Sequence, residues 1–108
     1  MVRFNYEGKE YVLGFNRKTA EMAQRSGFDL DELYNKSFIQ IPLLFRMSFA
    51  MNHPRIKNEK IEEIYEKLGD KTDLLKELIL NYRATFETLF GGDEDDEGDE
   101  NFIKWSSD

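Results

Sequence analysis

Residues 2–15 read "VRFNYEGKEYVLGF". Apolar and polar residues alternate, the period of a strand with one buried face. Val2, Phe4 and Tyr6 point one way, Arg3 and Asn5 the other, and Tyr11, Leu13 and Phe15 repeat the pattern. Between the two runs sits "EGK", where Gly8 supplies a residue that tolerates positive φ. The stretch predicts a β-hairpin with strands over about 2–6 and 10–15. A lone two-stranded hairpin is marginal in water, so the rest of the chain must cover it.

Outward from the hairpin the period becomes helical. Asn16 is a good N-cap for "RKTAEMAQRS", Gly27 fits the residue after the C-cap, and Phe28 fits the apolar contact that follows it. "DLDELYNK" starts with Asp29 three residues before Glu32, a capping-box spacing that predicts another short helix. "FIQIPLLFRMSFAM", residues 38–51, is apolar on nearly every side, with Ser37 and Gln40 as a cap and Pro42 in the opening turn. Its aromatic-rich face is Phe38, Ile41, Phe45 and Phe49, and Leu43, Leu44, Met47 and Met51 lie roughly opposite. Pro54 ends it. Asn58 caps "EKIEEIYEKL", and Asp70 caps the longest helix, about 71–90. That helix carries a stripe of Leu74, Leu75, Leu78, Ile79, Tyr82, Phe86, Leu89 and Phe90, which Gly91 and Gly92 stop. The fold class is therefore α+β and mostly helical: an N-terminal hairpin over about 2–15, four or five helices, and an acidic C-terminal tail. Residues 1–90 form one globular domain and 91–108 the tail.

The 108 residues suit one domain, and without cysteine there is neither a disulfide framework nor thiol chemistry. The net charge of -7 is not spread evenly. Residues 91–108 hold eight acids and one lysine, leaving fourteen acids and fourteen bases in the other ninety residues. A neutral body lacks the basic patch that dominates nucleic-acid affinity. "DEDDEGDE", residues 93–100, places seven acids in eight positions, the composition of a self-repelling disordered linker. No apolar run approaches the 20 or so residues of a membrane span, and the N-terminus lacks the apolar core of a secretory signal. A soluble, cytoplasmic protein is expected.

Catalytic chemistry finds no foothold. His53 is the single histidine and has no H-x-x-x-H or Cys–His spacing around it, so a place at a helix end is expected of it. There is no nucleophile elbow and no phosphate-cradling glycine loop. An EF-hand register from Asp93 puts Lys104 where a bidentate glutamate is required, which defeats a calcium site. The expectation is a non-enzymatic protein with no metal and no cofactor.

Two features point instead to binding. The face of Leu43, Leu44, Met47 and Met51 is either core or an adaptable surface for a partner or a second copy. The acidic run ends in "NFIKW", where Phe102, Ile103 and Trp105 are too apolar for a purely solubilising tail. That segment either folds back on its own domain, as an added strand on the hairpin, or docks on a partner.

"YEGKEY", "FNRKTAEMAQRSGFDL", "IPLLF", "NHP" and "IEEIYEKLGDK", in that order across roughly residues 2–80, resemble the small tail assembly chaperones of long-tailed bacteriophages and prophages of Gram-positive bacteria. The resemblance implies a role without catalysis. Such chaperones hold the long helical tape measure protein in the host cytoplasm and help recruit tail tube subunits, and many are made in two forms by ribosomal frameshifting near the C-terminus. The neutral body and the lack of an apolar span predict neither a nucleic-acid nor a membrane partner, and the resemblance carries no assigned site residues. Two alternatives stand beside it: a small acidic regulator or nucleic-acid mimic, and a structural head or tail completion protein.

Overall fold

The computed structural model describes residues 1–91, 103 and 105–107. The expected disorder of the acidic run and the placement of Phe102 lie outside them.

The hairpin forms as the alternation requires. Strand β1, Val2–Tyr6, pairs antiparallel with β2, Lys9–Leu13, setting Val2 opposite Leu13, Phe4 opposite Tyr11 and Tyr6 opposite Lys9. Both turn residues have positive φ, Glu7 at 52° and Gly8 at 78°. That is the two-residue turn whose twist matches paired strands. β2 stops at Leu13 rather than at Phe15 because the backbone finds other partners. The Gly14 N–H donates to the Ser48 carbonyl at 3.0 Å and the Phe15 N–H to Asn81 Oδ1 at 2.6 Å.

Helix α1, Arg17–Arg25, has both of its expected ends. Asn16 Oδ1 accepts from the Thr19 N–H at 2.8 Å, and Thr19 Oγ1 accepts from the Asn16 N–H at 3.0 Å. At the other end Phe28 and Gly27 donate back to the Ala23 and Gln24 carbonyls at 2.9 and 3.0 Å. Gly27 sits at φ 105°, so this is the paired C-terminal motif that glycine permits.

The expected helix over 29–36 is only a 3₁₀ turn, Leu30–Glu32, with further turns to Lys36. Gln40 explains the difference. Its Oε1 accepts from the Asp29 N–H at 2.9 Å, the group that Glu32 would have capped, and its Nε2 donates to the Gly27 carbonyl at 3.1 Å. Gln40 is thus a buried clamp on the 27–29 turn and does not cap a helix. Ser37 likewise caps nothing. It is the first residue of α2, Ser37–Met47, and its hydroxyl donates to the Leu33 and Tyr34 carbonyls. Pro42 lies inside α2, not in its opening turn.

α2 ends sooner than residue 51. The Ser48 carbonyl, which a continuing helix would spend on residue 52, accepts from Gly14 instead. Tighter bonds from Phe49 to Arg46 and from Ala50 to Met47 follow. Helix α3, Asn58–Lys67, begins at Asn58 without a side-chain cap. Helix α4, Thr72–Glu87, is preceded by Asp70, whose Oδ1 accepts from the Thr72 N–H at 3.0 Å and the Thr72 hydroxyl at 2.7 Å. These two bonds hold the Asp70 carboxyl below its usual range. A 3₁₀ turn, Thr88–Phe90, extends α4, and Gly91 at φ 77° closes it. The described residues therefore form a hairpin and four α-helices.

The core is aromatic and continuous. Phe4 stacks on Tyr11 with ring centroids 5.6 Å apart, Tyr11 meets Phe49 at 6.2 Å, and Phe49 meets Phe45 at 5.2 Å. Tyr82 of α4 bridges Phe15 at 5.3 Å and Phe28 at 4.9 Å, both edge to face. Such contacts add about 0.5–1.5 kcal/mol each to area burial. Leu13, Leu44, Ile64 and Leu78 fill the space between them.

Candidate interaction surface

The expected Leu/Met docking face of α2 is mostly interior. Leu43 and Leu44 belong to the core, Leu44 with no exposure at all, and Met47 and Met51 are half-buried, Met47 packed against that core. α2 has to cover the hairpin, α1, α3 and α4, which consumes both faces over most of its length. The exception is its first turn. Phe38 and Ile39, expected in the core, stand out from the body, Phe38 at 99% exposure, with Tyr34 also exposed one turn before. Pro42 leaves the Phe38 carbonyl without the amide that a regular helix would bring to it.

A second apolar surface lies at the far end of α4. The helix stripe is buried at Leu78 and Tyr82, then runs past the elements that face it, leaving Phe86, Leu89 and Phe90 exposed. The Phe86 and Phe90 rings meet edge to face at 5.6 Å. Beside them α1 and α4 enclose a groove of about 170 Å³ with Ala20, Gln24, Tyr82, Thr85, Phe86 and Leu89 in its walls. Gln24, Tyr82 and Phe86 also line a second cavity of about 230 Å³ that reaches the 28–31 turn. The groove's end is pinned, since Arg17 Nη2 donates to the Thr88 carbonyl at 2.8 Å. Sequence periodicity assigns Phe86, Leu89 and Phe90 to the core stripe; the only signal against that is the stripe's length relative to its neighbours.

Of the C-terminal apolar residues, Ile103 is 92% and Trp105 84% exposed, so neither ring nor chain is covered by the body. Among the described residues, Ile103 and Trp105 are exposed and are not buried against Leu43, Leu44, Met47 or Met51.

The polar side of the molecule is structural. His53 Nε2 accepts from the Val12 N–H at 3.0 Å, and Asn52 Nδ2 donates to the Val12 carbonyl at 3.2 Å. Together they seal the outer edge of β2 at Val12, where the ladder leaves both backbone groups unpaired. An N–H can only donate, so Nε2 carries the lone pair and the proton sits on Nδ1. Burial, and then the nearby Lys9 charge, push the imidazole below its ordinary pKa. The expected favourable charge at a helix end gives way to a neutral strand clamp. At the hairpin tip the Tyr6 hydroxyl donates to Glu63 Oε2 at 2.5 Å, and Lys60 Nζ bridges Glu7 at 2.7 Å and Glu63 at 3.1 Å. The Glu63 bond pushes the Tyr6 phenol up to about 12. The same bond, with Lys60, lowers the Glu63 carboxyl. Among the described residues no three His, Cys, Asp or Glu side chains converge to hold a metal ion, and no helix is long and apolar enough to cross a membrane.

A hairpin followed by four helices, with exposed apolar side chains at two helix ends, is an α+β, mostly helical fold. The chain belongs to the family described as a domain of unknown function, DUF5055, whose model matches residues 1–108. No curated protein and no solved structure matches it.

Proposed function

We propose that the protein is a non-enzymatic assembly chaperone of a long-tailed phage or prophage, which holds the helical tape measure protein in the host cytoplasm and helps recruit tail tube subunits. The observation that carries the reading is the exposed ledge of Phe86, Leu89 and Phe90 beside the α1–α4 groove. An amphipathic client helix lays its apolar face into such a groove and anchors by aromatic contacts. Exposed apolar clusters on small domains mark interaction sites more often than chance surface. The resemblance of residues 2–80 supplies the phage context.

The test is co-expression with a phage tape measure protein. The chain keeps that client soluble and co-purifies with it. The double variant Phe86→Asp/Phe90→Asp loses at least tenfold in client binding while its circular dichroism and melting temperature stay close to the parent. A client equally soluble without the chain overturns the reading. Stoichiometric presence of the chain in purified virions overturns it in favour of a structural component.

A further inference from the structure

The two edges of the hairpin differ. Tyr6 and Lys9 flank the two-residue turn, and hydrogen-bonded pairs alternate from there, so Phe4 with Tyr11 and Val2 with Leu13 carry the ladder. The N–H and C=O of Arg3 and Asn5 on β1 therefore turn outward, as those of Val12 do on β2. Val12 is sealed by His53 and Asn52. Among the described residues nothing bonds the main chain of Arg3 or Asn5, although α4 approaches β1. Natural strand edges are blunted by proline, bulges, inward-pointing charge or a covering element. β1 has no proline and no charge on its inner face, and its register runs without a bulge. Burial falls off toward the same edge. Tyr11 and Leu13 are buried, Phe4 and Val2 beside them on the same face are only half-buried, and Arg3 and Asn5 are exposed.

We propose that the open β1 edge pairs with β1 of a second copy, antiparallel about a two-fold axis at Phe4, into a sheet continuous across both copies. Only this centre uses every outward group. It sets Arg3 opposite Asn5 of the second copy and Asn5 opposite Arg3 of the second copy, and each such pair exchanges both of its main-chain bonds. A centre at Arg3 or at Asn5 would pair one of these residues with itself and carry the other past the end of Val2–Tyr6. Side-chain chemistry agrees with the Phe4 centre. On the outer face Arg3 meets a neutral amide and not a second guanidinium. On the inner face Phe4 meets Phe4 of the second copy at a non-hydrogen-bonded position, where cross-strand side chains approach most closely. The Phe4–Tyr11 stack, 5.6 Å between centroids, thereby extends into a row Tyr11–Phe4–Phe4–Tyr11 across the dimer, with Val2 opposite Tyr6. The half-buried face of β1 is covered, and a hairpin that is marginal as a pair of strands becomes part of a wider sheet. The pairing uses no residue of the α4 ledge and does not rest on the chaperone reading.

Sedimentation and amide hydrogen exchange of the full-length chain test this. The chain is a dimer at NMR concentration and dissociates on dilution to the micromolar range. Exchange at the Arg3 and Asn5 amides slows as concentration rises, whereas the Phe4 and Tyr6 amides, bonded within the hairpin, change little. A chain monomeric throughout overturns the proposal, and so does a dimer in which Arg3 and Asn5 exchange as fast as in the monomer. Slow exchange at these two amides that does not depend on concentration assigns the edge to a segment of the same chain and overturns it too. Asn5→Pro deletes an outward N–H, a position where an edge strand accepts proline, and raises the dimer dissociation constant at least tenfold. Asn5→Lys separates this effect from misfolding. It sets an opposite charge across from Glu10 within the hairpin and a like charge across from Arg3 of the second copy, the first stabilising and the second destabilising. Its melting temperature at dilution equals or exceeds the parent's while its dimer weakens; an undiminished dimer overturns the register. Phe86→Asp/Phe90→Asp leaves the dimer intact, and loss of the dimer in that variant would move the interface to the α4 ledge and overturn the proposal.

Discussion

Replacing His53 by phenylalanine isolates one bond. The ring keeps its place among Tyr11 and Phe49, whose centroids lie 5.1 and 6.2 Å from the imidazole. What disappears is the acceptor for the Val12 N–H. An unsatisfied buried donor costs about 1–3 kcal/mol; Val12 is half-exposed, so about 1 kcal/mol is the appropriate end of that range. For a domain of this size 1 kcal/mol lowers the melting temperature by roughly 4–8 °C. The variant should also lose a pH dependence. His53 is held neutral in the fold with its pKa depressed, whereas the unfolded chain titrates near the ordinary value of about 6.5. Between the two values the unfolded state binds more protons, so stability rises with pH there. The contribution is complete above about 6.5 and is lost as pH falls through the folded pKa. His53 is the single histidine, so no other imidazole can mimic the effect. Urea unfolding of parent and His53→Phe at pH 5.5, 6, 6.5 and 7.5 measures both effects. The parent weakens relative to the variant as pH falls, and the two curves converge. Parallel curves, or equal stability at pH 7.5, would show that the Val12 bond contributes nothing and that the β2 edge is held by packing alone.

Three further outcomes follow from burial and bonding. Leu44→Ala, in the interior of α2, should cost about 2–5 kcal/mol in chemical denaturation, while Phe38→Ala, six residues earlier and fully exposed, should stay within about 0.5 kcal/mol of the parent. A reversal of that order would mean that α2 is packed in another register. Asn16→Ala removes the α1 cap and should cost about 1 kcal/mol, with amide exchange accelerating first at Ala20 and the residues before it. Ultraviolet titration of the tyrosines should show one phenol near 12 that is absent in Tyr6→Phe. Because that folded pKa lies above the unfolded value of about 10, the Tyr6–Glu63 bond stabilises below pH 10 and is lost as pH rises toward 12.

Local chemistry with a short range was legible in the sequence. Alternation from Val2 to Leu13, Asn16 as N-cap and Gly27 as terminator each depend on residues within a few positions, and each appears where expected. The departures share a cause: a long-range partner takes the group that the local rule relied on. Gln40 takes the Asp29 amide, and 29–36 forms a 3₁₀ turn instead of an α-helix. Gly14 takes the Ser48 carbonyl, so α2 ends early. His53 has no local motif at all, and its role depends on Val12, forty-one residues away. Helical periodicity told which residues of α4 share a face but not how far along the helix a neighbour covers that face.

That last gap decides where the proposed client surface lies. A stripe from Leu74 to Phe90 needs a facing surface of about 24 Å at 1.5 Å per residue. Tyr82 is the last stripe position that the hairpin end and α1 bury, through Phe15 and Phe28. Phe86, Leu89 and Phe90 continue the face for two further turns and stay more than half exposed at the rim of the α1–α4 groove. The continuation is not a frayed end: Thr85 and Thr88 hold it with hydroxyl bonds to the Phe15 and Thr85 carbonyls at 3.3 and 2.6 Å, and Arg17 ties the Thr88 carbonyl to α1. Three exposed apolar side chains on a helix end fixed by hydrogen bonds present their surface without an ordering cost at the moment of contact. Preorganisation of that kind strengthens binding by reducing what must be immobilised. The face of α2 offers no such surface, because Leu43 and Leu44 must stay inside for the domain to fold at all. On the proposed chaperone reading, the α4 ledge is therefore the surface expected to take a client helix.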